Sequence, residues 1–296
     1  VDITVSASGS VWTINPGVVT YSKIQEVTEA RLLGRQSGSS GTVQELQPGF
    51  GITISGTYLR LGSHTFPSFN PPASGLVDFW DVESGVTVDA NNLVSAWTGV
   101  NGNQFTRADF STPADLYLRT YRSIRFLSFR RNSYLTSSLF PVLGDGDRTL
   151  FIVCRLPAQF NYYFAHILGY GTFIPFKFFC IAVSLNYSLN IGFDLYNILD
   201  YSYYCYPGFM TIALTRQGNL IHTYVNGINF VTHTTSNVDT GDAIGLQVGR
   251  TGSFGAPATP SFVFAVGAWS RALTQSEIEA LTETADRRYA TLFLPG

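Results

Sequence analysis

The sequence predicts an all-β protein: an antiparallel β-sandwich, preceded by a thin N-terminal segment and followed by one C-terminal helix. Short apolar runs bounded by Gly, Pro, Asn and Asp recur along most of the 296 residues, and no long stretch of helical periodicity separates them. Because parallel strands need long and usually helical crossovers, this pattern favours antiparallel pairing. The predicted strands of the sandwich occupy residues 93–97, 123–129, 149–156, 178–185, 189–194, 208–215, 220–225, 228–234, 243–248 and 261–269.

Two local signals support this pattern near the end of the chain. Asn226-Gly227 stands between two apolar runs and is typical of a two-residue type I′ hairpin turn, in which both residues have positive φ. Thr274 and Glu277 have the spacing of a helix capping box, and apolar residues then recur at three- and four-residue intervals. The sequence therefore predicts a hairpin inside the sheet and a helix after the last strand.

The composition is that of a folded but weakly charged protein. Hydrophobic residues make up 45% of the chain, aromatic residues 15% and charged residues only 13%, with a net charge of −2. This balance gives no electrostatic reason to expect nucleic acid or an anionic membrane as a partner. The apolar runs are also shorter than the roughly 20 residues that span a bilayer, so membrane insertion is not expected.

The cysteines and histidines predict neither disulfides nor a metal centre. Cys154, Cys180 and Cys205 lie in apolar, strand-like runs, and their odd number excludes complete pairing. Buried, reduced thiols fit folding in a reducing cytoplasm. The four histidines are dispersed along the chain, and no cofactor is predicted.

Two turns rich in Asp and Gly are candidate calcium sites. Asp145 and Asp147 lie in one of them, and Asp239 and Asp242 lie in the other. Their carboxylates could supply the oxygen ligands that calcium prefers. Asp and Gly also dominate tight turns, so turn formation alone explains both patterns and calcium is not predicted.

The chain divides into three predicted regions. Residues 1–61 form an appendage whose short strand-like runs and single amphipathic turn are too few to bury a core. Because such a segment needs neighbouring copies of itself, we expect a homotrimer here. Residues 62–75 form a linker stiffened by prolines, and residues 76–296 form the sandwich. The chain starts inside a strand-like pattern, so we expect further chain before Val1.

Part of the first region resembles a segment of bacteriophage tail fibres. The matching residues are Val19-Thr20-Tyr21-Ser22-Lys23-Ile24-Gln25, Arg31-Leu32-Leu33-Gly34-Arg35 and Gly49-Phe50-Gly51-Ile52-Thr53-Ile54-Ser55. In those fibres the segment stands just before the C-terminal head. The resemblance implies a trimeric virion fibre that contacts other phage tail proteins on its N-terminal side, folds in the host cytoplasm and acts outside the host cell.

Residues 76–296 resemble the concanavalin A-like jelly roll of the laminin-G type. The matching residues are Trp80-Asp81, Leu93-Val94-Ser95-Ala96-Trp97, Ile124-Arg125-Phe126, His222-Thr223-Tyr224-Val225-Asn226-Gly227 and Val266-Gly267-Ala268-Trp269-Ser270-Arg271-Ala272-Leu273-Thr274. The order of these pieces matches the family, although Leu127-Ser128 stands where Asp-Gly is common. The resemblance implies a jelly-roll head.

Catalysis is not predicted. Several sandwich relatives are β-glucanases with two catalytic carboxylates on one strand, and the nearest stretch here is residues 78–83. Phe79 stands where the nucleophile is expected, so the acid and base needed for glycoside hydrolysis are missing. For Asp81 and Glu83 we expect a solvated edge or turn. The sequence therefore predicts that the protein is not an enzyme.

An aromatic loop predicted between two strands, residues 196–204, is the candidate ligand site. The residues predicted to bind are Tyr196, Asn197, Asp200, Tyr201, Tyr203 and Tyr204. Phenol rings of this kind stack on sugar faces while the polar groups hold hydroxyls, and packing against a neighbouring head is the alternative interpretation. A set of arginines is either a solvated face or an attractor of anionic polysaccharide. This set is Arg119, Arg122, Arg125, Arg130 and Arg131.

Together these observations predict a trimeric tail-fibre protein that binds a host cell-surface glycan, or a surface protein, for adsorption. Three weak sites on one stalk would give an avidity that a single head lacks. One alternative is a structural virion fibre or decoration protein whose head packs on other virion proteins. A further alternative is a polysaccharide depolymerase that uses Asp81 or Glu83.

Overall fold

The computed structural model of the chain describes most of the sandwich and several short parts of the N-terminal segment. The described residues are 3–9, 11–14, 32–34, 44–46, 52–55, 58–61, 67–109, 114–121, 123–129, 133–156, 164–171, 178–184, 188–192, 198–204, 208–234, 240–241, 244–249 and 262–289. Contacts between residues divide the chain into two units, Val1–Phe66 and Pro67–Gly296.

The first unit contains three separate antiparallel pairs of strands among its described residues. They join β1 (Ile3–Ser6) to β2 (Val11–Ile14), β3 (Leu32–Gly34) to β4 (Gln44–Leu46), and β5 (Ile52–Ser55) to β6 (Tyr58–Leu61). Among the described residues, no strand pairing joins one pair to another. An isolated two-stranded pair is marginally stable at best in water. The first and third pairs lie where the sequence predicts thin strands, whereas most of the predicted amphipathic turn lies outside the described residues.

The second unit is the sandwich, with strands β7 to β23 and one helix, α1. Their bounds are β7 (Leu76–Asp81), β8 (Val86–Val88), β9 (Val94–Thr98), β10 (Gln104–Asp109), β11 (Tyr117–Tyr121), β12 (Ile124–Ser128), β13 (Ser133–Thr136), β14 (Arg148–Arg155), β15 (Phe164–Gly171), β16 (Phe178–Ser184), β17 (Ser188–Gly192), β18 (Ile198–Tyr204), β19 (Phe209–Gln217), β20 (Leu220–Val225), β21 (Ile228–Thr234), β22 (Gln247–Val248), β23 (Phe262–Trp269) and α1 (Gln275–Tyr289).

These strands form two antiparallel sheets. The nine-stranded sheet has the order β18-β17-β16-β15-β22-β13-β10-β9-β8. The eight-stranded sheet has the order β11-β12-β23-β14-β19-β20-β21, and β7 pairs with the later part of β23. Consecutive strands form hairpins in both sheets, and strands from distant parts of the sequence join these hairpins, for example β23 between β12 and β14, as in jelly-roll folds. The predicted all-β sandwich with one C-terminal helix is therefore confirmed.

The core lies between the two sheets and follows the two-residue period of the strands. Leu127 and Val263 of the eight-stranded sheet, and Trp97 and Ile181 of the nine-stranded sheet, belong to one cluster of fully or almost fully buried side chains. Residues next to these in each strand point to the opposite face of their sheet. Burial of such apolar area contributes roughly 25 cal/mol per Å² and is the main force that holds the sheets together.

The two local signals in the sequence are confirmed. Asn226 and Gly227 have φ values of 49° and 77° and join β20 to β21. At the start of α1 the backbone N–H of Thr274 donates to Glu277 Oε2 at 2.9 Å, and the N–H of Glu277 donates to Thr274 Oγ1 at 3.4 Å. These reciprocal bonds are those of a capping box.

The second half of the predicted linker packs on the sandwich. The indole Nε1 of Trp269 donates to the carbonyl of Pro72 at 2.8 Å, and Arg271 Nε donates to the carbonyl of Ser74 at 2.7 Å. The ring centroid of Phe69 lies 5.0 Å from that of Phe79. These residues therefore belong to the sandwich unit, and the part of the predicted linker before Pro67 lies outside the described residues.

Within the described ranges, no helix is long and apolar enough to cross a membrane. Cys154 and Cys180 are buried, as expected, whereas Cys205 lies outside those ranges.

Candidate functional site

The outer face of the eight-stranded sheet, which points away from the core between the sheets, divides into a covered half and an open half. In the covered half, α1 packs on the sheet. The hydroxyls of Thr282 and Thr211 lie 3.0 Å apart, and the ring centroids of Tyr289 and Phe264 lie 4.5 Å apart. Both aromatic side chains are fully buried. Half of this sheet face is therefore occupied by the protein's own helix.

Arg288 of α1 ties the covered half together. Its Nη1 donates to Asp81 Oδ2 at 2.7 Å, and its Nη2 lies 3.9 Å from Glu83 Oε1. Its guanidinium also lies over the rings of Phe69 and Tyr289, at 5.5 and 5.3 Å from their centroids. Only 5% of the Arg288 side chain and 15% of the Asp81 side chain are exposed. Asp81 ends β7 and Glu83 lies in the turn that follows, as expected. The expectation that both carboxylates are solvated is wrong for Asp81, because Arg288 pairs with it, and Glu83 stays 27% exposed.

The third carboxylate of the stretch 78–83 is also engaged by the chain. Asp78 is fully buried and accepts hydrogen bonds from the backbone N–H groups of Phe79, Asn101 and Asn103, at 2.7, 2.8 and 2.8 Å. These bonds shape the loop between β9 and β10. Close by, burial raises the pKa of Tyr289 well above its ordinary value, and the negative charge of Asp81 adds to the shift.

The open half carries a row of four side chains that crosses four adjacent strands. Arg119 of β11 is in register with Phe126 of β12, and Phe262 of β23 is in register with Arg155 of β14. The ring centroids of Phe126 and Phe262 lie 4.5 Å apart and join the two pairs. We call Arg119, Phe126, Phe262 and Arg155 the arginine–phenyl row. Phe262 is paired with Ser128, two residues from Phe126, so the row runs diagonally between β12 and β23. Since neighbouring strands are about 4.8 Å apart and a strand rises about 3.3 Å per residue, the backbones of the two arginines are separated by about 16 Å.

The alternation of the strands places the whole row on the outer face. Leu127, Val263 and Cys154, which adjoin row members in sequence, all belong to the core cluster. The row members must therefore point away from the core. Arg119 is exposed, and the other three side chains are partly buried. Guanidinium groups thus stand at both ends of a partly accessible aromatic surface.

The edge strand β11 adds exposed rings beside Arg119. Tyr117, Arg119 and Tyr121 alternate along the strand and share its outer face. The guanidinium of Arg119 lies over the ring of Tyr117, 4.5 Å from its centroid, and 51% of Tyr121 is exposed. No described residue forms an ion pair with Arg119. This surface can offer ring faces for stacking and a cation for hydrogen bonding to an anion.

The sequence-predicted ligand site lies elsewhere, at the edge of the nine-stranded sheet. Asp200, Tyr201, Tyr203 and Tyr204 belong to β18, so this stretch is an edge strand and not the expected loop. Tyr196 and Asn197 lie outside the described residues.

The register of β18 separates two of the predicted site residues. Asp200 is paired with Asn190, which is paired with Ala182, whereas Tyr201 is paired with Leu189. Because neighbouring positions alternate between faces, Asp200 and Tyr201 fall on opposite faces of the sheet. The ligand role of the six predicted residues stays a prediction.

The predicted arginine set is likewise divided. Arg119 is in register with Phe126, whereas Arg125 is paired with Thr120 on the other face. Arg125 donates from Nη1 to the carbonyl of Glu83 at 3.0 Å. The other three arginines of the set lie outside the described residues. The sequence identified Arg119 by charge, but it missed Phe126, Phe262 and Arg155, because only strand register brings them into line.

The turn that carried the first calcium candidate is filled by the chain's own cation. Arg148 is fully buried and donates to the carbonyls of Gly146 at 2.7 Å and Gly144 at 2.6 Å. Asp147 Oδ1 accepts a hydrogen bond from the backbone N–H of Gly218 at 2.7 Å. Asp239 and Asp242 lie outside the described residues. Across the described ranges, no group of three or more His, Cys, Asp or Glu side chains is placed to hold a metal ion.

The chain is similar to known proteins in structure but not in sequence. No family model matches the chain, and no curated protein matches it. Trypanosoma rangeli sialidase in complex with 2,3-difluoro-KDN is 16% identical over 73% of this chain, with a TM-score of 0.51. A mutant of that sialidase with trans-sialidase activity gives the same identity and coverage, with a TM-score of 0.52. The chain spans about a third of the length of both sialidases.

A third neighbour is a single domain. Domain 4 of AbnA, a GH43 extracellular arabinanase from Geobacillus stearothermophilus, was solved in complex with arabinotriose. It is 14% identical over 71% of this chain and 98% of that chain, with a TM-score of 0.51. At such identities the likeness establishes a shared β-sandwich fold.

These neighbours correct one prediction. The sequence predicts that the protein is not an enzyme. That prediction is wrong, because the fold does not exclude catalysis. The chains that share the fold include a sialidase, a trans-sialidase variant and a domain of an arabinanase. A role restricted to binding is therefore not shown. The tail-fibre resemblance rests on the sequence of the first 60 residues alone.

Proposed function

We propose that the sandwich unit binds carbohydrate on the open half of its eight-stranded sheet. The observation that carries this proposal is the arginine–phenyl row, flanked by the exposed ring of Tyr121. Carbohydrate sites combine aromatic faces, which stack on the C–H faces of sugar rings, with a few polar groups that fix hydroxyls. The row has both kinds of group on one partly accessible surface.

The comparison with domain 4 of the arabinanase supports the proposal. This chain matches almost the whole of that domain, which was solved with arabinotriose bound. A sandwich of this size and topology is therefore compatible with holding an oligosaccharide. The predicted residues in β18 are the second candidate surface, since tyrosines at a sheet edge offer the same stacking chemistry.

The more specific part of the proposal is that the chain belongs to a phage tail fibre and recognises a host cell-surface glycan. Its support is the tail-fibre resemblance, together with the three separate strand pairs in the first unit. Such pairs gain stability by packing against copies of themselves. A trimer would present three equal sites, and simultaneous binding would strengthen the attachment without new contacts.

The binding proposal is tested with the full chain on an array of bacterial and plant polysaccharides. We expect retention on at least one carbohydrate class, and an affinity for soluble oligosaccharide of that class that falls about tenfold in Phe126→Ala, because a stacking face is lost. Ile228→Ala is the matched control. That side chain is 70% exposed in β21, at the other edge of the same sheet.

Three outcomes decide between the surfaces and the functions. Loss of binding in Phe126→Ala but not in Tyr201→Ser supports the arginine–phenyl row. Loss in Tyr201→Ser alone moves the site to β18. Failure of the full chain to bind any polysaccharide contradicts the proposal and favours the structural virion protein that packs on other proteins.

The fibre proposal has its own test. Light scattering of the full chain should give the mass of three chains, near three times 32.5 kDa. One chain per particle at micromolar concentration would remove the avidity argument and contradict the trimeric fibre.

A further inference from the structure

Arg119 differs from other arginines of the sandwich in what its guanidinium contacts. Arg288 pairs with Asp81 at 2.7 Å, and Arg271 pairs with Glu277 at 2.5 Å. Arg119 is exposed, and its guanidinium lies over the ring of an aromatic side chain. No described residue accepts a hydrogen bond from it or forms an ion pair with it. The described part of the chain therefore presents this cation to solvent without neutralising it.

Three aromatic side chains surround this cation on one face of the sheet. Tyr117 and Tyr121 lie two residues away on either side in β11, and Phe126 is the paired residue in β12. The guanidinium is 4.5 Å from the centroid of the Tyr117 ring. This contact holds the cation in place, and it leaves the five guanidinium N–H donors without an oxygen acceptor from the described residues.

The register between β11 and β12 sets the distance between the cation and the nearest stacking surface. Arg119 and Phe126 are directly opposite each other, so their Cβ atoms are about 5 Å apart. The ring of Phe126 is itself packed against Phe262, with centroids 4.5 Å apart. A sugar ring stacked on Phe126 therefore has the Arg119 guanidinium at its rim, where a carboxylate on that ring meets it.

The low charge of the protein makes this contact a local one. Charged residues are 13% of the chain and the net charge is −2, so the protein as a whole does not attract polyanions. Recognition of an anion by Arg119 must then depend on position. A guanidinium is suited to this role, because its planar fork matches the two oxygens of a carboxylate.

We propose that the carbohydrate bound on the open half contains an acidic sugar, and that Arg119 selects it. The ring of the acidic sugar lies over Phe126, and its carboxylate accepts hydrogen bonds from the Arg119 guanidinium. The class includes uronic acids, in which the carboxylate is on C5, and ulosonic acids, in which it is on the anomeric carbon. This inference rests on the proposed carbohydrate-binding function and names its substrate class.

The first test compares polysaccharides that differ only in the carboxylate. The full chain is titrated with polygalacturonate, hyaluronan and polysialic acid, and with the carboxyl-reduced form of each; any other acidic polysaccharide retained on the array is treated in the same way. We expect reduction to lower the affinity of each bound polysaccharide about tenfold, because a charge-assisted contact is lost while the ring faces remain. The first two carry uronic acids and the third carries an ulosonic acid, so the panel also distinguishes the two sources.

Matched variants assign the effect to one residue. Arg119→Gln should lower the affinity for the bound acidic polysaccharide about tenfold and leave that for its reduced form unchanged. Arg119→Lys keeps the charge but loses the planar fork, so it should recover only part of the loss. Arg287→Gln removes the same charge from α1, where the side chain is 58% exposed, and should change neither affinity. Equal losses in Arg119→Gln and Arg287→Gln would overturn the proposal, since only the overall charge would then matter.

The remaining outcomes separate this inference from the function on which it rests. Equal affinity for acidic and reduced forms, lost in Phe126→Ala, overturns the acidic sugar and keeps the carbohydrate site. Retention of neutral polysaccharides alone has the same meaning. Equal affinity for dextran sulfate also overturns the inference, because the surface would then select anions of any kind. Binding of no carbohydrate on the array overturns both proposals.

Discussion

In both halves of the outer sheet face an arginine lies over aromatic rings, but only the arginine of the covered half is paired with a described carboxylate. In the covered half, Arg288 lies over two rings and pairs with Asp81 at 2.7 Å. In the open half, Arg119 lies over the ring of Tyr117, and no described residue forms an ion pair with it. The difference teaches that ring stacking alone does not distinguish a structural arginine from a binding one. The source of the counter-charge does: the chain supplies a carboxylate in the first case, and no described residue supplies one in the second.

The largest expected effect comes from making the same change in both halves. Arg288→Met leaves the partly buried Asp81 carboxylate without its cation, and loss of one partner of a buried pair should lower the free energy of unfolding by about 4 kcal/mol. Arg119→Met removes an exposed cation and should change it by less than about 0.5 kcal/mol. Urea denaturation followed by tryptophan fluorescence measures both. An equal loss of unfolding free energy in the two variants would contradict the contrast between the halves, since Arg119 would then stabilise the fold as well.

The aromatic rings should show a smaller contrast of the same kind. Phe264 is fully buried beneath α1, so Phe264→Ala should lower the free energy of unfolding by about 3 kcal/mol. Phe126 is only partly buried, and Phe126→Ala should lower it by about 1 kcal/mol. Their rings lie 6.2 Å apart, so the two changes test neighbouring positions of one face. A larger loss for Phe126→Ala would mean that the open half is also a packing surface.

The smallest expected effect concerns the anchor at the start of α1. The hydrogen bonds from Arg271 hold the pKa of Glu277 at about 2, below its ordinary value of 4.5, against the opposing effect of burial. A lowered folded-state pKa stabilises the protein above pH 4.5, and this stabilisation is lost as the pH falls towards 2. Because the Glu277 side chain is 28% exposed, we discount the full linkage and expect a loss of about 1 kcal/mol over this range.

The control for the pH prediction is Glu277→Gln, which has no titrating group at this position. Its free energy of unfolding should be lower than that of the unchanged chain at pH 6, and the difference should shrink towards pH 2. A difference that stays constant with pH would show that Glu277 acts through its shape and not through its charge.

The fold could be predicted because its signals are local and repeated. The hairpin at Asn226-Gly227 and the capping box at Thr274 depend on residues close together in the sequence, and both are confirmed. At β18 the sequence predicts a loop, because Asn, Asp and Ser interrupt the apolar pattern. Its tyrosines, which favour strands, were a signal that could have corrected the interpretation.

The candidate site could be predicted only in part. The set of arginines pointed to Arg119, which is paired with Phe126 on the next strand along the chain. The position of Phe262 and Arg155 beside them depends on pairing between strands that are more than 100 residues apart. For the same reason the sequence placed Asp81 in solvent, although its partner Arg288 lies 207 residues further along the chain. Local pattern identifies which residues can bind, whereas register decides which of them meet.

The packing of residues 67–74 against the last strand and helix has a consequence for engineering. The ring centroids of Phe69 and Tyr289 are 6.3 Å apart, and the Pro72 carbonyl accepts the indole N–H of Trp269. The first and last described parts of the sandwich unit therefore lie side by side. This arrangement tolerates domain insertion and circular permutation. A permutant opened at the Asn226-Gly227 turn, with a short bridge from 289 to 67, should retain its sheets and could carry the open half on a scaffold of any choice.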